Sequence, residues 1–155
     1  MQRERTAVIV RAAYQSDLPA IAAIQQLTPE AAQWEPATYL DTQCGYACHV
    51  ALVERRVAGF AVTRRNAPDE CELLNVATDP AMRRQGIARA LLKAVFSADL
   101  GPGSNQAANR WFLEVRESNV SAQALYESLG FERIGRRDRY YTNPRESAIV
   151  MLRKS

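Results

Sequence analysis

Between residues 71 and 117 the chain passes from a strand pattern to a helical one and back, which restricts the fold more than any other feature. "CELLNVAT" (71–78) reads as a strand that Asp79-Pro80 ends, because proline cannot donate to a ladder. Ile87, Ala88, Leu91, Leu92 and Val95 then recur at the spacing of a helix with one buried face. After a polar link that includes Gly101 to Ser104, "RWFLEVRE" (110–117) returns to strand. A crossover of this kind leaves its two strands parallel, and ligands favour the carboxyl ends of strands near such a changeover.

The flanks complete the order. "AVIVRAA" (7–13) is a first strand, and Asp17 can cap a helix with Pro19 at its second position and Ile21, Ile24 and Leu27 on one face. "TPEAAQWEPATYLDT" (28–42) is loop with a short helix or two, anchored by Trp34 and Tyr39. "YACHVALVE" and "VAGFAVTRR" join near Arg55-Arg56 and continue through polar "NAPDE" into the strand at 71–78, giving a meander. Asn119 opens a helix carrying Ala122, Leu125, Tyr126 and Leu129, closed by Gly130, and "FERIGRRDRYY" and "SAIVMLRK" form an antiparallel pair. The order β-α-α-β-β-β-α-β-α-β-β predicts a mixed α/β sheet, mostly antiparallel with one parallel pair.

A length of 155 residues suits one domain, taken as 1–155, and 47% hydrophobic with 24% charged residues excludes a disordered chain. A net charge of +3 is too small to argue for nucleic acid, and no direct nucleic-acid readout is expected. Residues 1–6 are polar, no signal-like apolar segment follows, and no run is long enough to span a bilayer, so a cytoplasmic protein without a membrane partner is expected. Cys44, Cys48 and Cys71 are odd in number and form no disulfide framework. Cys44, Cys48 and His49 invite a metal reading, but strand alternation puts the two cysteines on one face and His49 on the other. The expectation is no metal, with small buried thiols and a surface histidine.

"RRQGIA" (83–88) carries the chemistry. Gly86 permits a tight turn and close backbone approach, the amides that follow open a helix, and Arg83, Arg84 and Arg89 add cationic donors. These features suit a phosphate group; the same residues also suit a solvated basic loop capping an amphipathic helix.

"NVATDPAMRRQGIARALL" (75–92) resembles motif A of the GNAT N-acetyltransferases: a strand, then glutamine or arginine, two residues, glycine, one residue and glycine or alanine, then a helix. Together with "LEVRESNVSAQALYESLGFERIGRRDRYY" (113–141) and "RESAIVM" (145–151), it is similar to the RimI-like ribosomal-protein alanine N-acetyltransferases of bacteria. The resemblance covers residues 71 to 151 and is weaker before them, where Trp34 alone sits in a familiar setting. It implies the GNAT fold, a mixed, mostly antiparallel sheet with splayed central parallel strands and flanking helices. It also implies acetyl transfer from acetyl-CoA to the α-amine of a protein N-terminus, alanine of a small-subunit ribosomal protein.

The resemblance extends to individual residues. The cofactor diphosphate would sit on the amides of Arg84, Gln85, Gly86, Ile87 and Ala88, with Arg83 and Arg89 beside it, and the pantetheine arm would run along Val76, Ala77 and Thr78. Ala88 stands where many members have glycine. Asn119 matches an asparagine that contacts the cofactor and is also a plain helix cap. Glu114 matches the base and Tyr126 the acid of a direct attack with no acetylated enzyme; Cys71, at the far end of its strand, is not a nucleophile. On the residues alone, Glu114 could equally pair with Arg110 or Arg116, and Tyr126 could be a core tyrosine. Trp34, Tyr140 and Tyr141 would border the acceptor peptide, though the two tyrosines also suit a hairpin with one ring inward and one outward. Arg136, Arg137, Arg139 and Arg145 suit contact with a ribosomal protein or RNA, or a solvated strand edge. Acetylation of a small-molecule amine or a lysine, and non-catalytic acetyl-CoA binding, are the competing functions.

Overall fold

The meander read from residues 46–78 is the centre of one seven-stranded sheet. A computed structural model describes residues 7–29, 31, 33–97, 108–142 and 144–154, so the Gly101–Ser104 loop lies outside the described residues. The strands are β1 (Ile9–Ala12), β2 (Tyr46–Val53), β3 (Arg56–Ala67), β4 (Glu70–Thr78), β5 (Arg110–Arg116), β6 (Glu132–Thr142) and β7 (Arg145–Lys154). Their spatial order is β1-β2-β3-β4-β5-β7-β6. Glu54 and Arg55 join β2 to β3 with φ of 50° and 67°, the double left-handed turn whose twist matches two antiparallel strands.

Among the described residues only β4 and β5 pair in parallel, and only from Glu70↔Arg110 to Leu73↔Leu113. Beyond that point β4 keeps its bonds to β3 as far as Thr78, and β5 keeps its bonds to β7 as far as Arg116. The two strands therefore part down the middle of the sheet. A bulge on β4 accompanies the parting: Thr63 faces Leu73 while Val62 faces Asn75, so Leu74 has no opposite number. One extra residue bends a strand and sharpens its twist.

Helices cover both faces. Helix α1 (Leu18–Leu27) packs with Tyr39 on one face, where Ile21, Tyr39, Val50, Phe60 and Val62 form a core. Helices α2 (Ile87–Phe96) and α3 (Val120–Ser128) lie on the other, where Leu91 and Leu92 of α2 pack with Trp111, Leu113 and Met151 of the sheet. Gly59 on β3 lets α2 approach: a Cβ there would sit 2.9 Å from the Ala77 carbonyl oxygen and 3.3 Å from Ile87 Cγ2. The start of α2 is thereby held against the end of β4. Among the described residues, no helix is long and apolar enough to cross a membrane.

Several expectations need correction. The short helix or two expected near 28–42 are 3-10 turns, Pro36–Leu40 and Thr42–Cys44, which suits a segment with proline and no helical apolar repeat. Leu27 is exposed, and the buried face of α1 is completed by Gln25, whose amide donates to the Trp34 carbonyl and accepts from the Tyr39 hydroxyl. Cys44 lies in the second 3-10 turn and is exposed, outside the strand. His49 is buried on β2 at 1% exposure, and neither ring nitrogen has a hydrogen-bond partner. With β2 covered on both faces, alternation cannot send His49 to solvent, and burial holds the imidazole below its usual pKa and so neutral. Among the described residues no group of three or more His, Cys, Asp or Glu side chains could hold a metal ion.

Asp17 precedes α1 as expected, but its carboxylate does not cap the helix amides. It accepts from both terminal nitrogens of Arg11 at 2.7 and 3.0 Å and from the Tyr14 amide at 2.7 Å. The Arg11 guanidinium holds this carboxyl below the usual carboxylate range. A depressed pKa stabilises the fold above the unfolded value, about 3.9, and that stability fades as pH falls through the folded value. Asp17→Asn should therefore cost roughly 1–3 kcal/mol near neutrality. Thermal melts of the two proteins should converge as pH falls through the lowered folded value.

Candidate active site

Glu114 is the first residue of β5 beyond its last pairing with β4, so it stands where the strands begin to part. Trp111, Leu113 and Val115 belong to the core under α2 and α3, which turns Glu114 to the opposite face. Its carboxylate pairs with Arg137 of β6 at 2.9 Å. The expected alternatives, Arg110 and Arg116, are not its partners. Arg116 instead contacts Glu146 at 3.4 Å and lies over the Tyr141 ring at 4.2 Å.

Tyr140 and Tyr141 stand beside this pair with ring centroids 5.1 Å apart, edge to face. The Tyr140 hydroxyl hydrogen-bonds Glu114, which raises its phenol pKa, and the ring is about half exposed at 48%. Tyr141 is more deeply set, and burial, followed by the Glu114 charge, pushes it up to about 12. The inward and outward hairpin arrangement is therefore observed, with both rings gathered around Glu114.

Tyr126 projects from α3 into the core and meets Phe131 edge to face at 5.9 Å. Burial raises its pKa, so the phenol keeps its proton near neutrality. Tyr141 is within electrostatic reach of Tyr126 as well as Glu114. Glu114 and Tyr126 thus belong to opposite faces of the sheet, Tyr126 lying in the core beneath α2 and α3.

The turn before α2 supplies the complementary chemistry. Gly86 adopts φ of 73° with nothing within 4 Å of where a Cβ would lie, and Arg84 adopts φ of 66°. No side chain caps α2, whereas α3 is capped by Asn119, whose Oδ1 accepts from the Ala122 amide at 3.2 Å. The first amides of α2 are left for an anion, and Arg83, Arg84 and Arg89 are exposed around them. The parted edge of β4, with Val76, Ala77 and Thr78, leads toward this turn. A nucleotide diphosphate with an amide-bearing arm fits a helix start of this kind beside a strand edge without a strand partner.

Trp34 is exposed, and its carbonyl accepts from Gln25 Nε2 at 2.6 Å. The Tyr39 hydroxyl donates to Gln25 Oε1 at 2.5 Å and accepts from Asn75 Nδ2 at 3.5 Å, tying the Trp34 segment to β4. Two features escaped the sequence. Glu72, one residue before the β4–β5 pairing ends, is raised in pKa by burial and by Glu114. Arg137 read only as part of a basic strand edge. Part of that edge is ion-paired: Arg136 meets Glu117 and Asp138, and nearby Arg133 meets Glu127, each at 3.1 Å.

Known proteins resemble this chain in sequence and fold. The family model described as the acetyltransferase (GNAT) family matches residues 10–131. The ribosomal protein bS18-alanine N-acetyltransferase of Escherichia coli strain K12 is 40% identical over 139 residues, covering 88% of this chain and 90% of that one. The crystal structure of the ribosomal-protein-S18-alanine N-acetyltransferase from Escherichia coli superposes with a TM-score of 0.79 and 35% identity, over 96% of this chain and 94% of that one. Ard1 from Thermoplasma volcanium gives 0.80 with 27% identity, over 96% and 97%.

Proposed function

The chain belongs to the acetyltransferase (GNAT) family and is an N-acetyltransferase that uses acetyl-CoA, and from that premise we propose that its acceptor is the α-amine of a protein N-terminus, an alanine of a small-subunit ribosomal protein. The reading rests on one observation above all: a carboxylate, Glu114, at the point where β4 and β5 part, with tyrosines around it. Similarity to alanine N-acetyltransferases of bS18 along 88% of the chain supports the acceptor class.

Acetyl-CoA supplies an activated acyl carbon and a thiolate leaving group. Glu114 takes the proton that the acceptor ammonium must lose before its nitrogen forms the new C–N bond. Tyr126 gives its phenolic proton to the sulfur as the C–S bond breaks. The amides of Arg84 to Ala88, with Arg83 and Arg89, hold the diphosphate, and the backbone of Val76, Ala77 and Thr78 receives the pantetheine amides. Asn119 keeps its Nδ2 for the cofactor while Oδ1 caps α3. Trp34, Tyr140 and Tyr141 wall the acceptor.

Magnitudes favour the α-amine. Its pKa is about 7.7–8.0 against about 10.4 for lysine, a difference in deprotonation cost of roughly 3 kcal/mol. A single carboxylate is adequate for the first and weak for the second.

Incubation with acetyl-CoA and a panel of peptides, read by mass spectrometry, should place the acetyl group on an N-terminal alanine. Products confined to lysine side chains or small amines would overturn the reading. Glu114→Gln and Tyr126→Phe should each lower kcat by about 10²–10⁴-fold, with acetyl-CoA affinity held within about twofold by calorimetry. Arg84→Ala should act in the opposite sense, weakening acetyl-CoA binding with little change in kcat, and added salt should weaken binding to the unmodified protein in the same direction.

A further inference from the structure

Arg137 and Arg136 are neighbours on β6, yet they are held differently. Arg136 is fixed by Glu117, Asp138 and the Ser147 hydroxyl. Arg137 reaches the other face, where its ion-pair partner is Glu114 at 2.9 Å and its guanidinium lies 5.6 Å from the Tyr140 ring centroid. The Arg137 side chain is 60% exposed, while Glu114 is 19% exposed, so the cation is the movable member of the pair. It also stands at the end of regular pairing: Arg137 faces Ala148, and the next matched pair is Tyr141↔Glu146, with Arg139 between them at φ of 53°. β6 is an edge strand, with β7 its only neighbour in the sheet.

We propose that Arg137 is a displaceable counter-cation: its guanidinium holds the position on the Glu114 carboxylate that the acceptor's ammonium must take. The proposal rests on the reading of Glu114 as the base, and it adds a device for acceptor choice. Binding is then an exchange of one cation for another. Glu72 lies within electrostatic reach of both Glu114 and Arg137, so departure of the guanidinium leaves two carboxylates close together. That arrangement favours an incoming cation over a neutral group of the same size. The amine is admitted charged and loses its proton to Glu114 once it is seated. Arg137 is in this sense a specificity-determining residue, acting through Glu114 on what the carboxylate can receive.

Exchange has a signature that a structural role lacks. Replacing one ion pair by another leaves the charge balance unaltered, so KM for the amine should be nearly independent of salt at saturating acetyl-CoA. The acceptor for this test is a short peptide with N-terminal alanine, no ionisable side chain and an amidated C-terminus. In Arg137→Gln the amine no longer has to displace a cation, so KM at low salt should fall about two- to fivefold, the range expected of one partly exposed ion pair. In that variant KM should also rise steadily with added sodium chloride. Arg137→Lys keeps the cation and should keep the flat salt profile. Thermal melts of each variant confirm that the comparison is between folded proteins. A raised KM or a salt-independent KM in Arg137→Gln would overturn the proposal and make Arg137 a fixed support of Glu114. The product assay on the unmodified protein identifies the acceptor class, and the KM comparison on the alanine peptide reads only how Arg137 bears on a cationic amine, so the two readings fail separately.

Discussion

The parting of β4 from β5 is the constraint on which the rest of the molecule depends. Seven strands joined continuously would bury every backbone group of the sheet centre and leave no route between the faces. Pairing that stops at Leu73 and Leu113 opens the centre while β3 and β7 still secure the two strands from outside. The bulge at Leu74 supplies the bend, and Gly59 lets α2 settle against the end of β4 so that the uncapped helix start lies beside the opening. A strand edge, a helix terminus and a carboxylate converge because one ladder is incomplete.

The parts of the chain legible in sequence are those fixed by local physics. Ile87, Leu91 and Val95 declare α2 by spacing alone, and the crossover they create dictates the parallel pair before any contact is known. Asn119 declares a cap because its short polar side chain has few better places to go. The misses share a different cause. His49 was placed outside because alternation assumes that one face is wet, and β2 is covered on both. Leu27 follows the helical stripe of Ile21 and Ile24 but lies at the exposed end of α1, where Gln25 reaches Tyr39 and Trp34 instead. Arg137 could not be joined to Glu114 from spacing, since the pair spans two strands with β7 between them.

The family match carried the site residues further than local physics could. Gly86 and the arginines around it are consistent with a solvated loop until the helix behind them is seen to lack a side-chain cap. Tyr126 is a core tyrosine by packing, within electrostatic reach of Tyr141, and only the family resemblance suggests a second role for it. The modest net charge takes on meaning in the same way. Arginines at 133, 136 and 137 are matched by carboxylates of neighbouring elements, so part of the basic strand edge is spent on ion pairs.

The unmatched Leu74 makes the opening a matter of residue count. It resets the alternation of β4, so that Cys71, Leu73 and Val76 reach one core while Leu74 and Ala77 reach the other. Swapping Leu74 for another apolar residue keeps that arithmetic, whereas deleting it would straighten the strand and remove the bend that accompanies the parting. Among descendants of such a chain, drift in spelling at this position is tolerable and drift in length is not.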